Sequence, residues 1–347
     1  MKSKSESTAN FYLNFFKPLA KAKKQSAISV NVPLLLVLGF FCVSTVNATE
    51  VDWAKVETTT VKVFYPGVAS WEFLRTKDHG RGASVVRKNE KSCADCHVGK
   101  DGGYDIKADQ IISGELKTAE SKMPFEPQPI AGAAGFKDVS IQAAYDGENI
   151  YLRFQWQGSG ASITNPAIAT DGKADRIALQ ISNNIGSFRN YGCYITCHGD
   201  QDGMPDNSGT EVTLYGYYTR DKNGGIKDQT TLDDYLAKGQ FIDLVEASFA
   251  GNEVKTEDMH ILDKRLEDTN DLTATGGFEN GTYTVVISRK LSTGDKNDIV
   301  LSDGGTFNLG IAVHDNQNEG RKHYTSFPVS IGLSSSAADA DINAQKF

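Results

Sequence analysis

Two short strings constrain this chain more than anything else in it: Cys93-Ala94-Asp95-Cys96-His97 and Cys193-Tyr194-Ile195-Thr196-Cys197-His198. The first is C-x-x-C-H, the spacing used for covalent haem c attachment. Two thiols add across the two vinyl groups of the haem, and the adjacent histidine turns under the ring to bind iron. The spacing is mechanical, because the cysteines must straddle one porphyrin edge while the histidine sits below its centre. The second string is the same device with one extra residue between the cysteines. Together they predict two covalently bound haem c groups, with Cys93, Cys96, Cys193 and Cys197 as attachment points and His97 and His198 as iron ligands.

Cysteine usage agrees. The chain has five cysteines, four of them in these motifs, and the fifth, Cys42, lies in an apolar run near the N-terminus. None is left over for a disulfide framework, which favours cofactor attachment over stapling. A zinc site would need both motifs to supply its ligands. A redox dithiol would want a βαβ setting that is missing here. For the second motif alone, a local Cys193–Cys197 disulfide is the competing reading.

Residues 1–48 read as an export signal. Lys17, Lys21, Lys23 and Lys24 form the basic part, Val32 to Val46 the apolar part, and Val46-Asn47-Ala48 a cleavage site. The alternative, an uncleaved anchor over about 27–46, falls short of the roughly 20 apolar residues that a span needs. Cleavage near Ala48 therefore predicts a periplasmic protein with no stable membrane span. After residue 48 the chain holds 30 basic and 43 acidic side chains, a net charge of −13. That argues against nucleic acid or an anionic membrane surface as partner.

Along residues 49–131 the pattern is mixed. Thr58–Tyr65 reads as a strand, Trp71–Arg75 as a short apolar segment and Ala108–Ser121 as a short helix, and Met123 to Pro129 is Pro-rich. A boundary is placed near residue 132. Beyond it the chain reads as all-β, with strands expected at Ser140–Tyr145, Ile150–Trp156, Arg176–Ile181, Val212–Tyr218, Phe241–Phe249, Thr282–Arg289, Phe307–His314 and Tyr324–Ile331. Asp146 to Asn149, Asn223-Gly224-Gly225 and Asn280-Gly281 supply turns. The expected fold is mainly β: a β-sandwich haem-binding domain over 132–347, preceded by a small irregular haem c segment over 49–131.

An iron in an electron carrier usually takes a second protein ligand. His79, in Asp78-His79-Gly80-Arg81-Gly82, is the candidate for the first haem, with a solvated loop histidine as the plain alternative. For the second, His323, His314 and Met204 are on offer, while Met123, Met259 and His260 are weaker choices. His314 beside Asp315 also reads as a core or edge histidine, and Met204 as a loop residue packed on haem. Arg321 and Lys322 are candidates to neutralise haem propionates, against a reading as a solvated basic loop.

Residues 136–333 resemble the haem-binding domain of ethylbenzene dehydrogenase gamma-type subunits and related periplasmic cytochromes. The resemblance rests on Ala143 to Phe154, on Gly192 through His198, and on Gly310 to Asp315 with Gly320 to Ser326. It implies a β-sandwich with one haem at its edge. In b-type members a methionine and a lysine ligate the iron, the lysine in a Gly-Arg-Lys segment before a late strand. That position falls here on His323, with Lys322 the neighbouring alternative. The covalent motif departs from this pattern, making His198 the fixed ligand and leaving any methionine ligand in doubt. The N-terminal segment resembles c-type members in which a His-Gly loop precedes C-x-x-C-H, which supports His79.

The expectation is an exported dihaem cytochrome c that moves single electrons between periplasmic or membrane-associated redox proteins. One rival is a haem enzyme of the peroxidase or oxyanion-reductase type, with one open iron. Others are the electron-transfer subunit of a molybdenum enzyme and a non-redox binding module in which the cysteines hold zinc.

Overall fold

The computed structural model describes residues 50–66, 71–100, 103–198, 214–316, 322–334 and 339–347. The expected export signal, Met204 and Arg321 lie outside these residues. Strand periodicity dominates what is described. β1 is Thr59–Phe64, β2 Phe136–Tyr145, β3 Asn149–Gln157, β4 Arg176–Ile181, β5 Thr196–His198, β6 Leu214–Gly216, β7 Ile242–Ala250 and β8 Glu253–Ile261. Then follow β9 Arg265–Glu267, β10 Thr273–Glu279, β11 Thr282–Lys290, β12 Thr306–His314, β13 Tyr324–Ser326, β14 Val329–Gly332, β15 Ile342–Asn343 and β16 Gln345–Lys346. The helices are short: α1 Trp71–Arg75, α2 Gly82–Lys88, α3 Ala94–His97, α4 Ala108–Ile112, α5 Ala161–Thr164, α6 Phe188–Tyr191 and α7 Gln229–Ala237.

One large sheet runs in the order β10-β11-β3-β2-β1-β13-β12-β4-β7-β8-β9 and is antiparallel along this path. β14 joins it at β12, and β16 pairs parallel with β2. The sheet curls so that its two ends face each other. Trp156 of β3 lies 6.1 Å from Phe249 of β7, and Phe249 lies 4.6 Å from Tyr283 of β11, ring centre to ring centre. The protein is therefore mainly β, and the sandwich-like core forms inside a single curled sheet. β1 comes from the segment before residue 132 and is an interior strand, paired with both β2 and β13. Residues on both sides of position 132 thus share this sheet.

Alternation explains which face is buried. In β3, Ile150, Leu152, Phe154 and Trp156 are buried while Tyr151, Arg153 and Gln155 between them are half-buried. That is the period-2 signature of a strand with one face on the core. In β12 every residue from Leu309 to His314 is buried, because both faces are covered. Leu309, Ile311 and Val313 join the inner core. Ala312 instead joins a second apolar cluster, which also holds Phe64, Phe73, Phe188, Tyr194, Leu244, Ile261 and Phe327. This second cluster is where α1, α2, α6 and the two cysteine-histidine motifs pack on the outside of the sheet.

Several elements differ from the sequence reading. The expected strand Tyr324–Ile331 is two strands, interrupted at Phe327-Pro328, since proline has no N–H for a ladder. The helix expected over Ala108–Ser121 stops at Ile112, just before Gly114 in the left-handed region. β8 and α7 were not anticipated. The first half of β8 carries charges on an open face, which hides its strand character. Among the described residues no helix is long and apolar enough to cross a membrane.

Candidate functional site

The first motif folds as one turn of helix. Cys93 precedes α3, and the His97 N–H donates to the Cys93 carbonyl at 2.8 Å. Cys93, Cys96 and His97 stand at i, i+3 and i+4, so their side chains share one face of the turn. His79 ends a 3₁₀ turn over Lys77–His79 and faces the same space. The His79 and His97 rings are 6.1 Å apart between centres, with their planes 23° apart.

Each ring has one nitrogen engaged by the protein. His79 Nδ1 lies 2.8 Å from the Leu74 carbonyl, which can only accept, so Nδ1 carries the proton. Nε2 is then left with its lone pair. Burial holds His79 below the ordinary histidine range, which keeps the ring neutral. His97 Nδ1 lies 3.2 Å from Asp105 Oδ1, the carboxylate–histidine arrangement that orients metal-binding imidazoles. The glycines around His79 have a cause. A Cβ on Gly82 would stand 2.5 Å from His79 Cε1 and 2.8 Å from Nε2, so only glycine leaves room for the ring.

A cavity of about 280 Å³ is lined by all four residues, Cys93, Cys96, His79 and His97. Phe64, Phe73, Leu74, Phe125 and Phe327 give it apolar walls, and Lys91 and Lys107 also line it. Burial pushes the Cys93 thiol up to about 12, so the sulfur stays uncharged, as a thioether would be. Tyr191 and Tyr194 line the cavity too, and their buried hydroxyls have no hydrogen-bond partner.

The second motif has a different backbone. Gly192–Ile195 is a 3₁₀ turn, and Thr196–His198 is β5, paired with β6. The residue added between the cysteines puts the motif across a turn-to-strand junction instead of on one helical turn. Cys193 sits against Gly310 of β12, where a Cβ would come within 2.5 Å of its sulfur. Burial raises the Cys193 thiol to about 12, as at Cys93. Cys197 is fully buried in the outer apolar cluster. His198 and His323 face each other with ring centres 5.9 Å apart and planes 39° apart. His314 stacks on the far partner of this pair, 4.5 Å from His323. Asp315 accepts from Lys137 and Ser159. Lys322 immediately precedes His323 and is half-buried.

The two histidine spacings can be tested against an iron between them. Two metal–nitrogen bonds of about 2 Å, plus roughly 1 Å from each nitrogen to its ring centre, make about 6 Å. Both pairs meet this value. Direct stacking would bring the rings closer, as it does for His314 and His323. The donor set, the apolar walls and the unpartnered tyrosine hydroxyls all fit a haem with its carboxylate tails.

The family model for ethylbenzene dehydrogenase matches residues 50–263 and 227–326. Cytochrome c-552 from Stutzerimonas stutzeri is 33% identical over 313 residues, covering 89% of this chain and 96% of that protein. This chain belongs to the c-type cytochromes with an ethylbenzene dehydrogenase-type domain. Cytochrome c-551 from Rhodocyclus tenuis is 26% identical over 297 residues, covering 85% of this cytochrome and 99% of the relative. A family 9 carbohydrate-binding module from Caldicellulosiruptor kristjanssonii, in complex with cellotriose, overlaps 57% of this chain and 67% of its own. Its identity is 9% and its TM-score 0.28, so it carries no argument about this cytochrome.

Sequence reasoning missed Asp105, Tyr191, Tyr194 and Phe327. Asp105 had a signal, an acid eight residues after the motif histidine, but so do many loops. Tyr194 lies inside the second motif yet lines the first cavity, which no linear pattern announces.

Proposed function

We propose that the protein is an exported dihaem cytochrome c that passes single electrons between periplasmic redox proteins. The observation that carries this reading is the pair of opposed histidines beside each cysteine motif, at 6.1 and 5.9 Å. Bound haem supplies an iron that takes up and gives back one electron. Cys93 and Cys96 tether the first group and His97 with His79 ligate it. Cys193 and Cys197 tether the second, and His198 with His323 ligate it. The 5.9 Å spacing to His198 supports His323, and an imidazole, unlike Lys322, binds without first losing an ammonium proton.

The protein's own contribution is rigidity and exclusion of water. The Leu74 carbonyl and Asp105 hold the two imidazoles of the first site in one orientation. The Phe64, Phe73 and Phe327 walls keep solvent off the ring faces. Lys91, Lys107 and the Tyr191 and Tyr194 hydroxyls, which line the cavity, would take the propionates. A histidine pair beside each motif would occupy both protein-facing positions of its group, which favours a carrier over an enzyme.

The two sites are neighbours. The Cys93 N–H donates to the Asn190 carbonyl at 3.2 Å, three residues before Cys193. Tyr194 lines the first cavity from within the second motif, and Phe327 does so four residues after His323. This common wall supports electron exchange between the two haems.

Export in a host with haem c maturation, followed by intact mass and a pyridine haemochrome spectrum, tests the reading. Two covalent haems are expected. A single haem would remove the second site from the proposal, and none would overturn it.

A further inference from the structure

A second concentration of chemistry lies at one end of the inner core, built from elements other than the haem-bearing motifs. Asp243 of β7 pairs with His260 of β8, and Asp258 of β8 pairs with Val245 of β7. This register puts Asp243 and Asp258 on the inner face, beside Val245. Asp298, from the loop between β11 and β12, meets them there. Each of the three aspartates offers an oxygen within 4.8 Å of the other two, and the three residues are 0%, 5% and 6% exposed.

These carboxylates are poorly satisfied. Asp243 Oδ2 accepts from Arg289 Nη1 at 2.6 Å and from the Ile299 N–H at 2.9 Å. Asp243 Oδ1, Asp258 Oδ1 and both oxygens of Asp298 are buried without a hydrogen-bond partner. The cation closest to Asp298 is Arg289 Nη2, at 4.0 Å. Asn297 donates its Nδ2 to Asp268 at 2.8 Å, and its own Oδ1 is likewise unpartnered. Buried acceptors left without donors lose the solvation they had in water, and the loss is larger when they are charged. So many in one place point to a ligand that only donates positive charge.

Charge and size identify it. Three carboxylates and one guanidinium leave two negative charges, the complement of one divalent cation. The acceptors nearest the gap are all oxygens, which selects a hard cation over zinc or copper. Ca²⁺ is held by cages of protein oxygens, whereas Mg²⁺ dehydrates reluctantly and keeps several waters, so a buried carboxylate cluster selects calcium. The aspartate oxygens all lie within 4.8 Å of one another, close enough for one ion to touch all three. Without a cation the cluster is strained electrostatically.

We propose that Asp243, Asp258 and Asp298 bind one Ca²⁺, with Asn297 Oδ1 at its edge, tying the β7–β8 hairpin to the β11–β12 loop. The ion closes the end of the inner core, away from the electron-transfer chemistry.

The test uses the full haem-loaded protein, stripped with EGTA and titrated with CaCl₂. One Ca²⁺ per chain by equilibrium dialysis is expected, with a rise in Tm of several degrees that equal MgCl₂ does not reproduce. Hydrogen exchange in the loop around Asn297–Ile299 should slow when CaCl₂ is added. Asp298→Asn, in a loop, should abolish binding while leaving the haem absorbance unchanged. Should that variant fail to fold, the exchange result on the unaltered protein carries the location. No bound Ca²⁺ at millimolar concentration, unchanged exchange in this loop, binding retained in Asp298→Asn, or Mg²⁺ binding as tightly would each overturn the proposal.

Discussion

His79 and His97 show how little separates a ligand from a loop residue. The chain spends two glycines on His79, and Gly82 is the one that clears space for the ring. Gly82→Ala is expected to displace His79 and convert the first haem to a five-coordinate, high-spin form. An absorption spectrum checks this, and a wholly low-spin spectrum would count against His79 as ligand. His79→Ala and His323→Ala should each open one iron to cyanide or CO while leaving the covalent haem count at two. Asp105 acts through His97. Its carboxylate makes the imidazole a stronger donor and favours oxidised iron. Asp105→Asn should therefore raise the potential of one haem and leave the other in place, as read by spectroelectrochemistry.

At the scale of elements, the β2–β3 hairpin was legible and the outer face was not. β2–β3 announces itself by alternation and by the Asp146 to Asn149 turn, and β11 by its alternation after Asn280-Gly281, whereas β10, with two glycines and little alternation, was not anticipated. β8 was invisible because half of it is charged, and its strand character comes from pairing with β7 along its whole length. The inner strands β4 and β7 also carry a largely buried ion pair, Arg176 Nε to Glu246 Oε1 at 3.0 Å. Burial raises the Glu246 carboxyl and Arg176 holds it partly down. Arg176→Met would strand that carboxylate, at a cost of roughly 3–5 kcal/mol in urea unfolding. Replacing both partners by apolar residues should recover most of the loss. A small effect of the single variant would show that Glu246 takes a proton instead.

For the whole molecule, the two proposed bis-histidine sites, without the methionine that raises potential, predict low potentials for both haems. Two clearly positive potentials would contradict the ligand assignment. A net charge of −13 after residue 48 would draw a basic redox partner. The bimolecular electron-transfer rate should then fall as salt rises from about 10 to 150 mM, because screening shortens the reach of the field. A rate indifferent to salt would mean a neutral docking face.

The sequence by itself determined the chemistry that is local. Cysteine–histidine spacing names the cofactor because the porphyrin edge sets it within six residues. Alternation names the strands because a half-buried face repeats every second residue. Only the tertiary structure decided what is brought together from afar. It opposed His79 to His97 and His198 to His323, put Tyr194 of one motif in the wall of the other site, and built β1 into the same sheet as the strands beyond residue 132. It also gathered Asp243, Asp258 and Asp298 from three separate stretches of chain. These meetings depend on how one sheet curls and which face each strand turns inward. That is settled by burying apolar surface over the whole molecule, and no short stretch of sequence contains it.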